Sequence, residues 1–183
     1  SNISDDVKLL VLINPYNPCG AVAGKDEIFR ILSIARKWPN CIVIADEIYD
    51  GLDFTGEHRS VASLSPDVPV FVLNGVSKVY YAPGWRIGYL GIHDPKGRLV
   101  SIRDGIERLL RSRLCASTPA QMGYLAGLDG DRSWMKSYSD KIKRQRDLCV
   151  KRINSIEGLE VQSSGGAFYM FIKLTDEQWQ QND

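Results

Sequence analysis

Val7-Lys8-Leu9-Leu10-Val11-Leu12-Ile13 is a nearly unbroken apolar run that stops at Asn14-Pro15-Tyr16-Asn17-Pro18-Cys19-Gly20, a dense group of turn residues. A run this short, closed by Pro and Gly, predicts a buried strand feeding a tight loop. From Lys25 to Trp38 the apolar positions Ile28, Ile31, Leu32 and Ala35 recur at helical spacing until Pro39-Asn40 ends them. That predicts an amphipathic helix. Cys41-Ile42-Val43-Ile44-Ala45 then repeats the strand pattern and runs into Asp46-Glu47-Ile48-Tyr49. Strand, helix and strand in this order predict a right-handed parallel βαβ unit.

A short helix is predicted around Val61 to Leu64, followed by a third strand, Val70-Phe71-Val72-Leu73, that leads into Asn74-Gly75-Val76-Ser77-Lys78. Arg86-Ile87-Gly88-Tyr89-Leu90-Gly91-Ile92 predicts a fourth strand. Its connection from the third is too short for a crossover helix, so it should run antiparallel to its neighbours in a mixed sheet. Leu99, Ile102, Ile106, Leu109 and Leu110 restore helical periodicity, which continues after Pro119 and again over Tyr138, Ile142, Cys149 and Ile153. Three helices are predicted there, the last one long. Leu159 to Gln162 and Ala167 to Ile172 then flank Ser163-Ser164-Gly165-Gly166 and predict two strands around a glycine turn. The polar stretch from Asp176 to Asp183 has the composition of a helix start without room to pack one.

Composition narrows the function classes. The 183 residues carry 23 Lys and Arg against 22 Asp and Glu, a net charge of +1, so no global field draws nucleic acid or an anionic membrane. Lys141, Lys143, Arg144, Arg146, Lys151 and Arg152 are interrupted by Asp140 and Asp147 and lack stacking aromatics, which fits a solvated helix face. No apolar run approaches the roughly 18 residues of a membrane helix, and no signal peptide is evident. A soluble, cytoplasmic protein is the expectation. Cys19, Cys41, Cys115 and Cys149 are scattered, with only His58 and His93 to assist them, so buried or half-buried thiols are expected and no metal site.

In parallel sheets ligands settle outside the carboxyl ends of the strands. Three strands here end in Asn17, in Asp46 with Tyr49, and in Lys78. Singly, each has a bland reading: Asn17-Pro18 builds a turn, Asp46-Glu47 caps a helix or meets water, and Lys78 is a surface lysine. Together an amide, a carboxylate, a phenol and an amine suit a pyridoxal phosphate pocket. The amine forms an imine, the carboxylate keeps the pyridine nitrogen protonated, and the phenol and amide bond the ring's 3-oxygen. Arg86, just past the Pro83-Gly84 turn, offers a guanidinium for phosphate.

The stretches Asn14 to Gly20, Asp46-Glu47-Ile48-Tyr49 and Ser77-Lys78-Val79-Tyr80-Tyr81-Ala82-Pro83-Gly84-Trp85-Arg86-Ile87-Gly88 resemble, in order and spacing, the signatures of class I aminotransferases, the fold-type I pyridoxal phosphate enzymes. The resemblance runs from the first strand to Ile172. It implies an α/β fold: a partial large domain over residues 1–155, with a mixed, mainly parallel sheet flanked by helices, then the first strands of a small domain over 156–183. It implies pyridoxal 5'-phosphate as cofactor. Lys78 matches the Schiff-base lysine, Asp46 the partner of the pyridine nitrogen, Tyr49 and Asn17 the contacts to the 3-oxygen, and Arg86 the phosphate anchor. Asn17's counterpart also touches the substrate carboxylate. Relatives often carry a hydroxyl residue where this chain has Gly75, which leaves one phosphate contact either absent or replaced by Ser77. Cys19, where many relatives have Ser or Thr, is a modest departure.

The implied reaction passes an amino group from an L-amino acid, of alanine or aspartate type, to 2-oxoglutarate. Asn74 to Tyr80 and Arg113 to Gln121 resemble the alanine branch of bacteria and archaea. Partners implied are amino acid and 2-oxo acid substrates and a second copy in a homodimer, near whose interface Ala116 to Pro119 would lie; Ser117 and Thr118 equally suit capping of the next helix. Family members are about twice this length. The phosphate-cradling glycine loop and the ring-stacking aromatic should precede Ser1, and the arginine for the substrate α-carboxylate should follow Asp183, so residues 1–183 alone are expected to be inactive and to bind pyridoxal phosphate weakly or not at all. Two other readings stay open: another fold-type I enzyme such as a carbon–sulfur β-lyase, and a non-catalytic aminotransferase-like regulatory domain.

Overall fold

The first apolar run forms β1 (Leu9–Ile13), which pairs in parallel with β2 (Ile42–Asp46) after helix α1 (Lys25–Ala35) crosses between them. The computed structural model describes residues 7–112 and 114–175, so the polar stretch from Asp176 and the single residue Arg113 lie outside the described residues. β2 pairs in parallel with β3 (Val70–Gly75), and β3 pairs antiparallel with β4 (Gly88–His93), giving one sheet of order β1-β2-β3-β4. The mixed α/β sheet and the reversed fourth strand are as the pattern predicts. Helix α1 stops at Ala35, and turns through Trp38 to Cys41 replace its expected last turn.

The two faces of the sheet are covered by different helices. Leu10, Leu12, Val43, Ala45, Val70 and Val72 face Ile28, Leu32 and Ala35 of α1 and Val61 of α2 (Val61–Leu64). Full burial of each large aliphatic there contributes about 1.5–3 kcal/mol. On the opposite face Ile42, Ile44 and Phe71 meet Leu99 and Ile106, the latter on α3 (Val100–Ser112). This second cover stops short of β1, leaving Leu9 53% and Val11 63% exposed. The expectation of a fully buried first strand is corrected accordingly: β1 is an edge strand, and apolar composition does not say what covers it.

Helices α4 (Thr118–Asp129) and α5 (Ser133–Ile153) follow, and α5 is the longest at 21 residues. No helix among the described residues is long and apolar enough to cross a membrane. Cys41 is buried and Cys19 half-buried, but Cys115 and Cys149 are exposed, against the expectation for the thiols. The predicted terminal hairpin also differs. β5 (Leu159–Val161) pairs antiparallel with β6 (Ile172–Leu174), so the second strand begins where the predicted one ends. Residues 162–171 are no tight turn. They reach back to the first sheet, where Gly166 N–H donates to Gly20 O and Ala167 N–H to Leu52 O, both at 2.8 Å. The backbone partners available there outcompete hairpin continuation.

The loop after β1 is held by Asn14, which is buried. Its Nδ2 donates to Ala23 O at 3.1 Å and its Oδ1 accepts from Ala23 N–H at 2.9 Å. Replacing it leaves both main-chain groups of Ala23 without that partner. Asn14→Ala is therefore expected to lower stability by about 2–4 kcal/mol, from two lost bonds and their desolvated partners. Urea unfolding measures this, and a loss below about 0.5 kcal/mol would show that the clamp is not structural.

Candidate active site

Asp46 is the last residue of β2 and lies in register with Ile13 of β1 and Leu73 of β3. The chains that leave these strand ends therefore enter the same space. A cleft of about 420 Å³ opens there, lined among others by Asn17, Asp46, Tyr49, Ser77, Lys78 and Arg86. All six candidate side chains predicted from sequence thus border one cleft. Asn74, not singled out from sequence, borders it as well, its Nδ2 donating to Asp50 Oδ2 at 3.0 Å.

Each side chain is set by local structure. Asn17 rides on a loop closed by Gly20 N–H to Tyr16 O at 2.7 Å and Tyr16 N–H to Ala21 O at 2.8 Å. Gly20 has φ +69°, and a Cβ there would come within 2.5 Å of Gly166 O, so the left-handed turn and the close approach both demand glycine. Asp46 Oδ1 accepts from Ile48 N–H at 3.2 Å. Its neighbour Glu47 points the other way, buried, and accepts from Val61 N–H at 2.9 Å at the start of α2. The capping role weighed for Asp46-Glu47 thus belongs to Glu47, whose carboxyl is pushed above its ordinary range chiefly by burial. Asp46 is left to the cleft.

Tyr49 is 3% exposed, and its hydroxyl lies 2.6 Å from that of Tyr169. Burial foremost, and then this bond, raise its phenol above the ordinary value. Lys78 is half-buried, its Nζ 5.9 Å from the ring centre of Tyr49 and 5.7 Å from that of Phe168. Among the described residues no ion pair holds it. An amine resting over aromatic faces without a carboxylate clamp stays free to react. Phe168 and Tyr169 were missed from sequence because Ala167 to Ile172 reads as a strand. The available signal was Gly165-Gly166 before an aromatic pair, which also marks close backbone approach.

The loop carrying Lys78 is docked on α4. Tyr80 hydroxyl donates to Gly127 O at 3.1 Å, and its ring meets Tyr124 edge to face at 5.7 Å. Arg86 follows the Pro83–Trp85 turn in the left-handed region at φ 53°, exposed, with Nη1 donating to Pro83 O at 2.8 Å. A non-glycine residue held there carries strain, and such strain gathers at ligand-binding segments. At Gly75 a Cβ would sit 2.8 Å from Ile87 O, so no hydroxyl residue fits at that position. Ser77 is the hydroxyl that borders the cleft.

A cleft at the carboxyl ends of parallel strands, with a lysine, an acid, a phenol and an arginine on successive loops, defines an α/β protein with its candidate site where such folds bind ligands. The family described as Aminotransferase class I and II matches residues 1–182, and the chain belongs to it. It is 37% identical over 177 residues to the glutamate-pyruvate aminotransferase AlaA of Escherichia coli K12, covering 95% of this chain and 44% of that protein. It is 36% identical to the alanine aminotransferase of Mycobacterium bovis, covering all of this chain and 43% of the relative. A solved alanine aminotransferase from Pyrococcus furiosus superposes with a TM-score of 0.92 at 46% identity, over 96% of this chain and 44% of that one. The chain therefore spans less than half the length of these relatives.

Tyr124 gives the docking of the lysine loop a measurable signature. Burial, reinforced by the nearby Tyr89 and Tyr80 phenols, pushes its hydroxyl up to about 12 from an ordinary 10.0. Below pH 10 both folded and unfolded chains keep this proton. Between about 10 and 12 only the unfolded chain releases it, so stability falls as pH rises through that window, by on the order of 2 kcal/mol. Unfolding by urea at pH 9 to 11.5 is expected to show the fall, and Tyr124→Phe to make it shallower. An unchanged slope in the variant would place the alkaline sensitivity elsewhere.

Proposed function

We propose that this chain supplies the lysine-bearing side of the active site of a pyridoxal phosphate-dependent aminotransferase of the alanine type. The reaction would pass an amino group between an L-amino acid and 2-oxoglutarate. What supports the reading is the convergence of an amine, a carboxylate, a phenol, an amide, a hydroxyl and a guanidinium on one cleft, together with relatives named as alanine and glutamate-pyruvate aminotransferases. The donor set fits the cofactor's chemistry group for group. Bound there, pyridoxal phosphate would supply an aldehyde for amine capture and a ring that draws electrons from the substrate α-carbon.

The residues divide the remaining work. Lys78 Nζ is the amine that anchors the cofactor covalently and, when free, the base for the proton on the substrate α-carbon. Asp46, kept to the cleft by its Ile48 bond, holds a proton on the ring nitrogen, where a carboxylate partner is worth most in a partly desolvated site. Tyr49 and Asn17 bond the 3-oxygen, and Asn17 also meets the substrate carboxylate. Arg86 and Ser77 would hold phosphate oxygens, the guanidinium supplying the charge that offsets theirs. Turning Arg86 to that task exchanges its Pro83 bond.

In the same reading, residues 1–155 belong to the cofactor-binding large domain and residues from 156 onward open the small one. A homodimer is supported by the exposed Leu109, Leu110, Leu114 and Met122 at the end of α3 and the start of α4. The free cysteines suit a reducing, cytoplasmic setting.

The reading is tested by adding pyridoxal phosphate to the protein, reducing with borohydride and mapping the adduct by mass spectrometry. With cofactor in large excess, so that weak capture still registers, label on Lys78 that is abolished in Lys78→Ala is expected, whereas label spread over other lysines and unchanged in that variant would overturn the reading. Because the chain spans 44% of the E. coli relative, residues 1–183 alone are expected to give no transamination of alanine with 2-oxoglutarate. Measurable turnover by that chain would contradict the assignment of essential groups to other segments.

A further inference from the structure

Tyr49 and Tyr169 are separated by 120 positions, yet their hydroxyls are 2.6 Å apart and their rings meet edge to face at 5.5 Å. Phe168 meets the Tyr49 ring in the same way at 5.5 Å. Tyr49 is nearly inaccessible to water, so its hydroxyl depends on protein partners, and losing one leaves a costly desolvated group. A phenol offers one proton and two acceptor lone pairs. Tyr49 and Asn17 also border the same cleft, so a group bound there can meet the Tyr49 hydroxyl from the side away from Tyr169. Tyr49 then has two choices. It donates to Tyr169, or it accepts from Tyr169 and donates into the cleft.

We propose that Tyr169 is a positioning residue that decides which way the Tyr49 proton points. With no anion in the cleft, Tyr49 donates to Tyr169. With an oxyanion bound at the Tyr49 and Asn17 rim, the anion is the stronger acceptor. The Tyr49 proton then turns to it, and Tyr169 turns its own proton onto the Tyr49 oxygen. The buried hydroxyl is satisfied in both states, and the second arrangement is a chain of bonds in which each polarises the next. No proton is transferred; only the direction of donation changes. The inference rests on the pyridoxal phosphate reading for the identity of the oxyanion, the ring's 3-oxygen, but the hydroxyl pair stands on its own geometry.

Two measurements on the protein and on Tyr49→Phe, Tyr169→Phe and the double variant test it. Phenylalanine keeps the rings and removes only hydroxyls. Without cofactor, NMR of tyrosine-labelled protein is expected to show a slowly exchanging hydroxyl proton on Tyr49 that is lost in Tyr169→Phe. An unchanged Tyr49 signal in that variant would overturn the hydroxyl pairing whatever the cofactor does. With pyridoxal phosphate titrated by absorbance, each single variant is expected to bind about three- to tenfold more weakly, and the double variant no more weakly than Tyr49→Phe. Undiminished affinity in Tyr169→Phe, or losses that add in the double variant, would overturn the switch while leaving the cleft reading intact. Binding that Tyr49→Phe leaves undiminished would overturn the cleft reading and the switch with it.

Discussion

The register of three parallel strand ends is the constraint on which the rest of the molecule depends. Asp46 closes β2 with Ile13 on one side and Leu73 on the other, and the Asn14 N–H to Asp46 O and Glu47 N–H to Leu73 O bonds, at 3.0 and 2.9 Å, carry the ladder one step past the strands. Only because the strands finish together do the loops bearing Asn17, Asp46 with Tyr49, and Lys78 open into one cleft. A slip of one residue in β2 would send Asp46 to the opposite face and bring Glu47 toward the cleft. The register is carried by the backbone ladder and by which side chains pack toward α1 and which toward α3, and this ties the chemistry of the site to the packing of those helices.

The cleft is buttressed by a segment from outside the sheet. Residues 162–171 leave β5, dock on the first sheet's loops and return to β6, setting the aromatic wall of Phe168 beside Lys78 and Tyr169 behind Tyr49. Main-chain bonds carry most of that docking: Phe54 N–H to Gly165 O, Gly166 N–H to Gly20 O and Ala167 N–H to Leu52 O, each 2.8 Å. Arg146 of α5 adds a bond to Ser164 O and lies over the Phe54 ring at 5.0 Å. Its buried stem makes the long helix a brace for the site, a role unlike that of the solvated basic residues around it.

How much of this was legible in the sequence follows from what each element depends on. The four strands of the main sheet and the helices between them rest on local periodicity, and their order and direction follow from connection lengths. Five of the six candidate side chains were legible because they follow an apolar run, and strand ends in a parallel unit converge by topology; Arg86 was legible from its place after the Pro83-Gly84 turn. Leu9 and Val11 were read as buried because composition reports what is apolar and not what lies over it. The segment from Ser163 to Phe171 was misread for a related reason. Its glycine pair and the run that follows suit a hairpin, but the groups that claim its backbone, Gly20 and Leu52, lie more than 100 positions earlier in the chain. Gly75 is a third case, since its necessity comes from the Ile87 carbonyl across the ladder.

The central claim is that strand register and the docked segment form one structural unit around Lys78. Amide hydrogen exchange tests it most directly, by comparing Asn14 and Glu47, which extend the ladder, with Gly166 and Ala167, which dock the segment. Similar protection factors for all four, lost together under mild denaturant, are the expected result. Gly166 and Ala167 exchanging orders of magnitude faster than Asn14 and Glu47 would contradict the account, because the aromatic wall would then open independently of the sheet that carries the lysine.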